Sequence, residues 1–242
     1  MQHLFKTIFF QPIYNLLVFF YAAIPGHDLG VAIILITAVI KLILYPFSKQ
    51  ALQAQKSMQE IQPKMEALKV QYKDDQAGLS KAMLELYKNE KVNPFSSCLP
   101  VLIQFPFLIA VYQVLRTGIG SADASILYSF VHAPAVLNHV AFGFLDLTQK
   151  NVFLAVLAAA SQYWQTHMLM HKKPPLSQVA PGAKDESMTA TMNKQMMYMM
   201  PIMTLVIGIS LPAGLVLYWL AITLFSVAQQ WWMFRSIPQT VV

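Results

Sequence analysis

The chain has 242 residues, of which 56% are hydrophobic and 12% are charged, with a mean hydropathy of +0.49 and a formal net charge of +6. Soluble domains carry about 25% charged residues, so this composition excludes an ordinary soluble protein and predicts an integral membrane protein. The single cysteine, Cys98, excludes an intramolecular disulfide and a cysteine-based metal site. No cleavable signal peptide is expected, because no small-residue cleavage site follows the first apolar segment.

The first apolar segment, residues 3–24, carries a polar stripe. Thr7, Gln11 and Asn15 recur every four residues on a segment that is otherwise rich in aromatic side chains. An amphipathic helix of this kind suits the membrane interface, so we predict an interfacial helix here. A sixth spanning helix is the alternative.

Residues 29–48 predict the first spanning helix. At about 1.5 Å per residue they can cross a hydrocarbon core of about 30 Å. A lysine inside a span costs roughly 2.5–3.5 kcal/mol on insertion scales, so Lys41 is expected to face a water-filled or protein-lined cavity. Thr37, Lys41 and Tyr45 are spaced by four residues, which places them on one helical face. In the alternative, the Lys41 side chain extends to the inner headgroups.

Residues 49–92 are polar, with eight lysines and six acidic residues. Two runs of apolar residues follow helical spacing there, and residues 74–78 separate them as a turn. We predict a helical hairpin in water whose apolar stripes form a surface for partners or headgroups; a solvated loop is the alternative. The stripes are Ile61, Met65, Leu68 and Tyr72, then Leu79, Met83 and Leu86.

Four more spans are predicted, at residues 93–116, 151–170, 196–211 and 215–234. His167 and His171, near the end of the third span, are one helical turn apart and could share a metal ion. No acid or third ligand lies nearby, so an interfacial role is favoured and no metal is expected.

The positive charges predict the orientation of these five spans. Thirteen of the 17 Lys and Arg residues fall in residues 49–92, residues 171–195 and the C-terminal segment, which the five spans place on one side of the membrane. The positive-inside rule makes that side cytoplasmic, so the N-terminus is expected outside and the C-terminus inside.

Three separated stretches resemble the YidC/Oxa/Alb membrane-insertase family. KVNPFSSCLPVLIQFPFLIAVY carries the family's NP, small-residue pair and IQxP signature, LPAGLVLYW resembles its turn into the last span, and ITAVIKLILYPFSKQ resembles its first core span. The resemblance covers nearly the whole chain. It implies a five-helix bundle with a hydrophilic groove, preceded by an interfacial helix and containing a cytoplasmic hairpin, in the bacterial inner membrane.

The family's activity implies that this chain inserts and folds other membrane proteins, as an insertase and chaperone, alone or beside the Sec translocon. It implies nascent membrane proteins and lipids as partners, with no direct nucleic-acid contact, no nucleotide, no cofactor and no enzymatic activity. Many members bind ribosomes through a basic C-terminal tail; this sequence ends RSIPQTVV, so a strong contact of that kind is not expected.

The resemblance also implies a set of groove residues. The family's groove arginine falls on Lys41, which keeps the charge but loses the planar donor fork. Other groove positions fall on Thr37, Gln104, Tyr112, Thr223 and Ser226. Counted from the cytoplasmic ends, Lys41 and Gln104 differ in depth by roughly 5 Å, so these residues are expected to converge on one cavity sealed outward by apolar packing. In the alternative, Gln104 and Thr223 only bond neighbouring helices.

Two other classes of membrane protein fit less well. A small-solute or ion transporter would also place a charge in a span, but paired repeats and intramembrane acids are typical of transporters, and every Asp and Glu lies outside the five predicted spans. An intramembrane hydrolase would need a motif such as G-x-S-x-G or H-E-x-x-H, which no span carries.

Overall fold

The computed structural model describes residues 2–73, 75–93, 99–118, 124–132, 134, 137–170 and 188–236. Within them the chain is almost entirely helical, and the strands are the two-residue β1 (Val140–Ala141) and β2 (Leu145–Asp146). The α-helices are α1 (Gln2–Phe5), α2 (Gln11–Ala23), α3 (Leu29–Ile43), α4 (Tyr45–Glu60), α5 (Gln62–Gln71), α6 (Gln76–Asn89), α7 (Leu99–Gly118), α8 (Val152–Met170), α9 (Met188–Ser210) and α10 (Ala213–Ser236). A π-helix, Lys6–Phe10, joins α1 to α2 in one N-terminal helix, and Ala124–Ile126 form a 3-10 helix. The predominantly helical fold predicted from the sequence is confirmed.

The described helices differ in their ability to cross a membrane. His3–Ala23 and Ala213–Phe234 are each long and apolar enough to do so. Helices α3 and α4 reach that length only as a pair, and Leu102–Thr117 and Met197–Ser210 are shorter apolar helices. Five spans therefore stay a prediction. The N-terminal segment, predicted to lie in the interface, has the length and composition of its alternative, a span.

The predicted first span, residues 29–48, is bent in the structure. Helix α3 ends at Ile43, and α4 leaves it at an angle of 66°. Pro46, in the first turn of α4, has no N–H to donate to the carbonyl four residues earlier, so the helix bends there. Helix α3 alone, with 15 residues, is about 22 Å long. Because Tyr45 lies beyond the bend, it does not continue the helical face of Thr37 and Lys41.

The hairpin segment starts earlier than predicted, because α4 runs from the bend to Glu60. Helices α5 and α6 then pack against each other, with Met65 buried beneath the Tyr87 hydroxyl. Pro63 sits in the first turn of α5, where its missing N–H costs no helical hydrogen bond. Asp75 caps α6 by accepting a hydrogen bond from the Gly78 amide at 2.8 Å, so the turn between the two helices ends at Gln76.

Helix α10 lies at the centre of the bundle and packs most extensively on α8 and α3. It buries a continuous run near its start, from Ala213 to Tyr218. Helices α8 and α9 also lie close together. A Cβ on Gly208 would stand 3.0 Å from the Cβ of Ala155, so small residues set their separation.

A structured segment covers the end of the bundle where α3 and α10 begin. This segment, the cap, comprises the described residues of 124–150. The backbone carbonyls of Leu147 and Gln149 accept hydrogen bonds from the first amides of α10, at 2.9 and 2.7 Å. Within the cap, Leu137, Ala141 and Leu147 are fully buried. The cap therefore closes this end of the bundle with apolar packing.

The polar stripe of the N-terminal helix holds the cap. Asn15 is only 3% exposed, and its Nδ2 donates to the Ile126 carbonyl while its Oδ1 accepts from the Tyr128 amide at 2.6 Å. Gln11 donates to the same Ile126 carbonyl at 3.2 Å. Two of the three stripe residues thus contact protein rather than headgroups, whereas Thr7 donates to a carbonyl of its own helix.

Candidate functional site

Lys41 lies near the end of α3 that is remote from the cap. It is the only charged residue of α3 and is half-buried against α10. Its Nζ donates to Oε1 of Gln229 at 3.4 Å, which is long for a hydrogen bond, so the ammonium is loosely held. We call Lys41 and Gln229 the lysine pair.

The amide of Gln229 is incompletely bonded. Because its oxygen faces the ammonium, its Nε2 points elsewhere, and this buried nitrogen has no hydrogen-bond partner within the described part of the chain. Lys56 with Glu60, Lys64 with Glu90 and His139 with Asp146 form ion pairs among the described residues, and none of these pairs involves Lys41. The lysine pair therefore contains a cation, the Lys41 ammonium, that has no counter-ion among the described residues, and a donor, Gln229 Nε2, that is not used in a hydrogen bond there.

A second polar contact joins α7 to α10. Gln104 donates from its Nε2 to the hydroxyl oxygen of Tyr218, which is 1% exposed. We call these two residues the tyrosine pair. A buried tyrosine hydroxyl needs a partner, and Gln104 supplies one. This contact matches the alternative role considered for Gln104, a bond to a neighbouring helix.

The two pairs share one face of α10. Gln229 follows Tyr218 by eleven residues, which is about three turns, a rise of roughly 16 Å and a rotation of only about 20°. The sequence predicted that Lys41 and Gln104 converge. The structure instead pairs each of them with a different residue of α10.

The predicted hydroxyl residues are bonded within their own helices. Thr37 donates to the Ile33 carbonyl at 2.6 Å, Thr223 to the Trp219 carbonyl at 2.8 Å and Ser226 to the Ile222 carbonyl at 2.7 Å. Hydroxyls in helices often bond four residues back in this way. Thr223 also lies roughly 140° around α10 from Tyr218, so it does not share the face of the two pairs.

The remaining two predicted site residues are tyrosines. Tyr112, in α7, exposes 38% of its surface, and Tyr45 is half-buried beyond the bend. The histidines considered as metal ligands cannot be compared, because His171 lies outside the described residues; the His167 ring centroid is 5.9 Å from that of Tyr163. No cluster of three potential metal ligands occurs among the residues that the structure describes.

Sequence reasoning missed Tyr218 and Gln229 as site residues. Tyr218 lies within the apolar stretch LPAGLVLYW, which was noted only for its resemblance to the family, and Gln229 lies at the polar end of the last predicted span, two residues before Trp231. A signal was available in the sequence. A glutamine in a span needs a hydrogen-bond partner, and Lys41, a cation in another span, needed one too.

Comparisons with known proteins give the family. The family model described as "60Kd inner membrane protein" matches residues 19–240. Proteins named "Membrane protein insertase YidC" are similar: that of Lawsonia intracellularis is 35% identical over 231 residues, and that of Methylobacillus flagellatus is 36% identical over 210. These matches cover 95% and 87% of this chain, but 39% and 33% of the relatives.

A solved structure has the same fold. The chain described as "Active YidC insertase crystal structure with the first transmembrane domain resolved" is matched with a TM-score of 0.60 and 25% identity, over 90% of this chain and 45% of that one. This chain thus spans between one third and two fifths of the length of the curated relatives cited here. The family model covers nearly all of it, so the chain belongs to the 60Kd inner membrane protein family, and the predicted YidC/Oxa/Alb resemblance is confirmed.

Proposed function

We propose that this chain is a membrane protein insertase and chaperone that uses the lysine pair to hold the polar tail of a substrate. The relatives named as insertases support the class of activity. The observation that carries the site is Lys41 itself, a half-buried cation in an apolar helix with no counter-ion among the described residues.

The physical task is to move a polar tail through about 30 Å of hydrocarbon. A hydrated groove entered from the cytoplasm shortens that path, and the charge of Lys41 attracts an acidic tail more strongly in a low dielectric than in water. Burial of the substrate's apolar helix in lipid then drives its release. Nucleotide hydrolysis has no part in this scheme.

The proposed groove opens toward the hairpin and is closed at the cap. The buried apolar residues of the cap and its hydrogen bonds to α10 support a seal at that end. The distribution of Lys and Arg supports an external cap, a cytoplasmic hairpin and five spans, with the N-terminus outside and the C-terminus inside.

Within this groove we propose roles only for side chains free to meet a substrate. Lys41 supplies its positive charge and Gln229 supplies a neutral amide. Tyr45 and Tyr112 lie along its margins, and the tyrosine pair supports its wall. Thr37, Thr223 and Ser226 stay outside the proposed site, because each hydroxyl already donates to its own helix.

The proposed partners are nascent membrane proteins and lipids, with the Sec translocon as a further one. The α5–α6 hairpin is the proposed receiving surface, since Val70 and Leu84 are exposed on it. A ribosome contact through a basic C-terminal tail is not part of the proposal.

Complementation tests this function. Cells depleted of the protein are supplied with the unaltered chain, Lys41→Arg or Lys41→Ala, and insertion of a single-span substrate with an acidic outer tail is followed by protease protection. We expect Lys41→Arg to restore insertion and Lys41→Ala to reduce it about tenfold or more, the loss expected when an interaction with a charge disappears. Full insertion by Lys41→Ala at equal membrane abundance would refute the proposed role of the charge.

A further inference from the structure

We propose that Gln229 is the second hydrogen-bond donor of the substrate site and positions Lys41, so that the lysine pair binds one carboxylate through two nitrogens. This inference rests on the proposed insertase function and identifies a residue that the sequence analysis did not place in the groove. Its starting point is the contact between Lys41 Nζ and Gln229 Oε1 at 3.4 Å.

The contact fixes the orientation of the amide. An ammonium has only donors, so the amide must turn its oxygen toward Lys41 and its nitrogen away. That Nε2 is buried and has no acceptor within the described part of the chain. A buried donor without an acceptor costs free energy, and an incoming carboxylate oxygen would remove that cost.

The two nitrogens complement each other chemically. The Lys41 ammonium is a compact charge on a flexible chain, and the Gln229 amide adds a neutral donor with a defined plane. A carboxylate has two oxygens and can accept from both groups. Arginine alone provides two parallel N–H donors in one fixed fork, so Lys41 together with Gln229 offers what one guanidinium would offer.

The surroundings favour an anion over a cation as the ligand. Helix α3 contributes no acidic residue, and none of the ion pairs among the described residues includes Lys41. A neutral glutamine leaves the positive charge available, whereas a glutamate at the same position would neutralise it. The charge of the side chain at residue 229 should therefore affect insertion of an acidic-tailed substrate more than its size does.

The experiment measures insertion of two matched substrates in cells depleted of the protein. One substrate has acidic residues in its outer tail; the other has those residues replaced by Asn and Gln. Each is tested with Gln229→Ala, Gln229→Glu and Lys41→Ala, and with two double variants in which Lys41→Arg is combined with Gln229→Ala or with Gln162→Ala. Membrane abundance is measured for each. Gln162→Ala, which removes an amide bonded to Thr204 at 3.2 Å between α8 and α9, is the matched control.

We expect Gln229→Ala to reduce insertion of the acidic-tailed substrate about tenfold, as for loss of one hydrogen bond to a charged group. Gln229→Glu should reduce it further and spare the neutral-tailed substrate. Lys41→Arg should restore the Gln229→Ala variant to within about threefold of the unaltered chain and should not correct any defect of Gln162→Ala. A merely structural role for Gln229 would affect both substrates alike and would not be corrected by Lys41→Arg.

The proposal and the function on which it rests fail in different ways. Normal insertion of the acidic-tailed substrate by Gln229→Ala, with a defect in Lys41→Ala, would overturn the role of Gln229 and leave the proposed function standing. Normal insertion by Lys41→Ala would overturn both. Equal defects on the two substrates in Gln229→Glu would also overturn the two-donor site.

Discussion

The lysine pair and the tyrosine pair use the same face of α10 for different purposes. The tyrosine pair buries a hydroxyl almost completely and supplies it with a partner from α7. The lysine pair is half-buried, joined by a long contact, and retains an unbonded donor. A satisfied polar contact stabilises the contact between two helices, whereas an unsatisfied one beside a charge can bind a ligand.

Their positions in the bundle account for this difference. Tyr218 belongs to the buried run with which α10 begins, directly below the cap. Lys41 lies two residues before the end of α3, next to the bend that Pro46 causes. The start of α10 is continuously buried near the cap, whereas Leu42 and Ile43 are exposed near the bend, and in the proposed account water enters at the end remote from the cap.

The largest loss of stability is expected when the tyrosine pair is altered. Tyr218→Ala removes a buried aromatic side chain and should lower the free energy of unfolding by about 3–5 kcal/mol. Tyr218→Phe leaves Gln104 without its acceptor and should lower it by about 1–3 kcal/mol. Unfolding of the detergent-solubilised protein measures both, and Gln229→Ala is the comparison, with an expected change below about 1 kcal/mol. A Gln229→Ala variant less stable than Tyr218→Phe would reverse the assignment of the two pairs.

A smaller loss of stability is expected when the hydrogen bonds between the N-terminal helix and the cap are removed. Asn15→Leu removes the acceptor of the Tyr128 amide and one of the two donors to the Ile126 carbonyl, and should lower the free energy of unfolding by about 1–3 kcal/mol. Hydrogen exchange of residues 124–128 should accelerate. Thr7→Val is the matched control, because Thr7 is exposed and donates only to its own helix. Unchanged exchange in Asn15→Leu would show that the stripe does not hold the cap.

The smallest effect, a change in insertion of less than about twofold, is expected when the hydroxyl residues Thr223 and Ser226 are replaced. Thr223→Val and Ser226→Ala remove only hydrogen bonds to carbonyls that already belong to helix α10, so insertion should stay within about twofold of the unaltered chain. The substrate assay described for Gln229 measures this. A tenfold loss in either variant would return these residues to the proposed groove.

The sequence predicted those features in which the pattern of polar and apolar residues is informative over a short stretch of chain. Lys41 interrupts an apolar helix, and the alternating runs of apolar and polar residues predicted the α5–α6 hairpin. Gln104 was recognised from the resemblance of its stretch to the family's signature. Each of these signals depends on residues close together in the chain.

The remaining features depend on how helices meet. The partners Tyr218 and Gln229 follow from the rotation and depth of α10 relative to α7 and α3, which hydropathy does not report. The bend at Pro46 was missed because the apolar run continues toward it. The hydroxyls of Thr223 and Ser226 bond to their own helix, which spacing does not reveal, and their place in the groove stays a prediction. Asn15 was placed on an interfacial stripe because its partners in the cap are more than 100 residues away.

The most direct test of the difference between the two pairs is the reactivity of single cysteines. Cysteine is placed at residue 41, 229, 218 or 223 in a variant with Cys98→Ser, and inverted membrane vesicles are treated with a membrane-impermeant thiol reagent from the cytoplasmic side. We predict rapid labelling at residues 41 and 229 and little at 218 and 223, because only the lysine pair lies in the proposed hydrated groove. Labelling at 218 as fast as at 229, or no labelling at 41 and 229, would contradict the account.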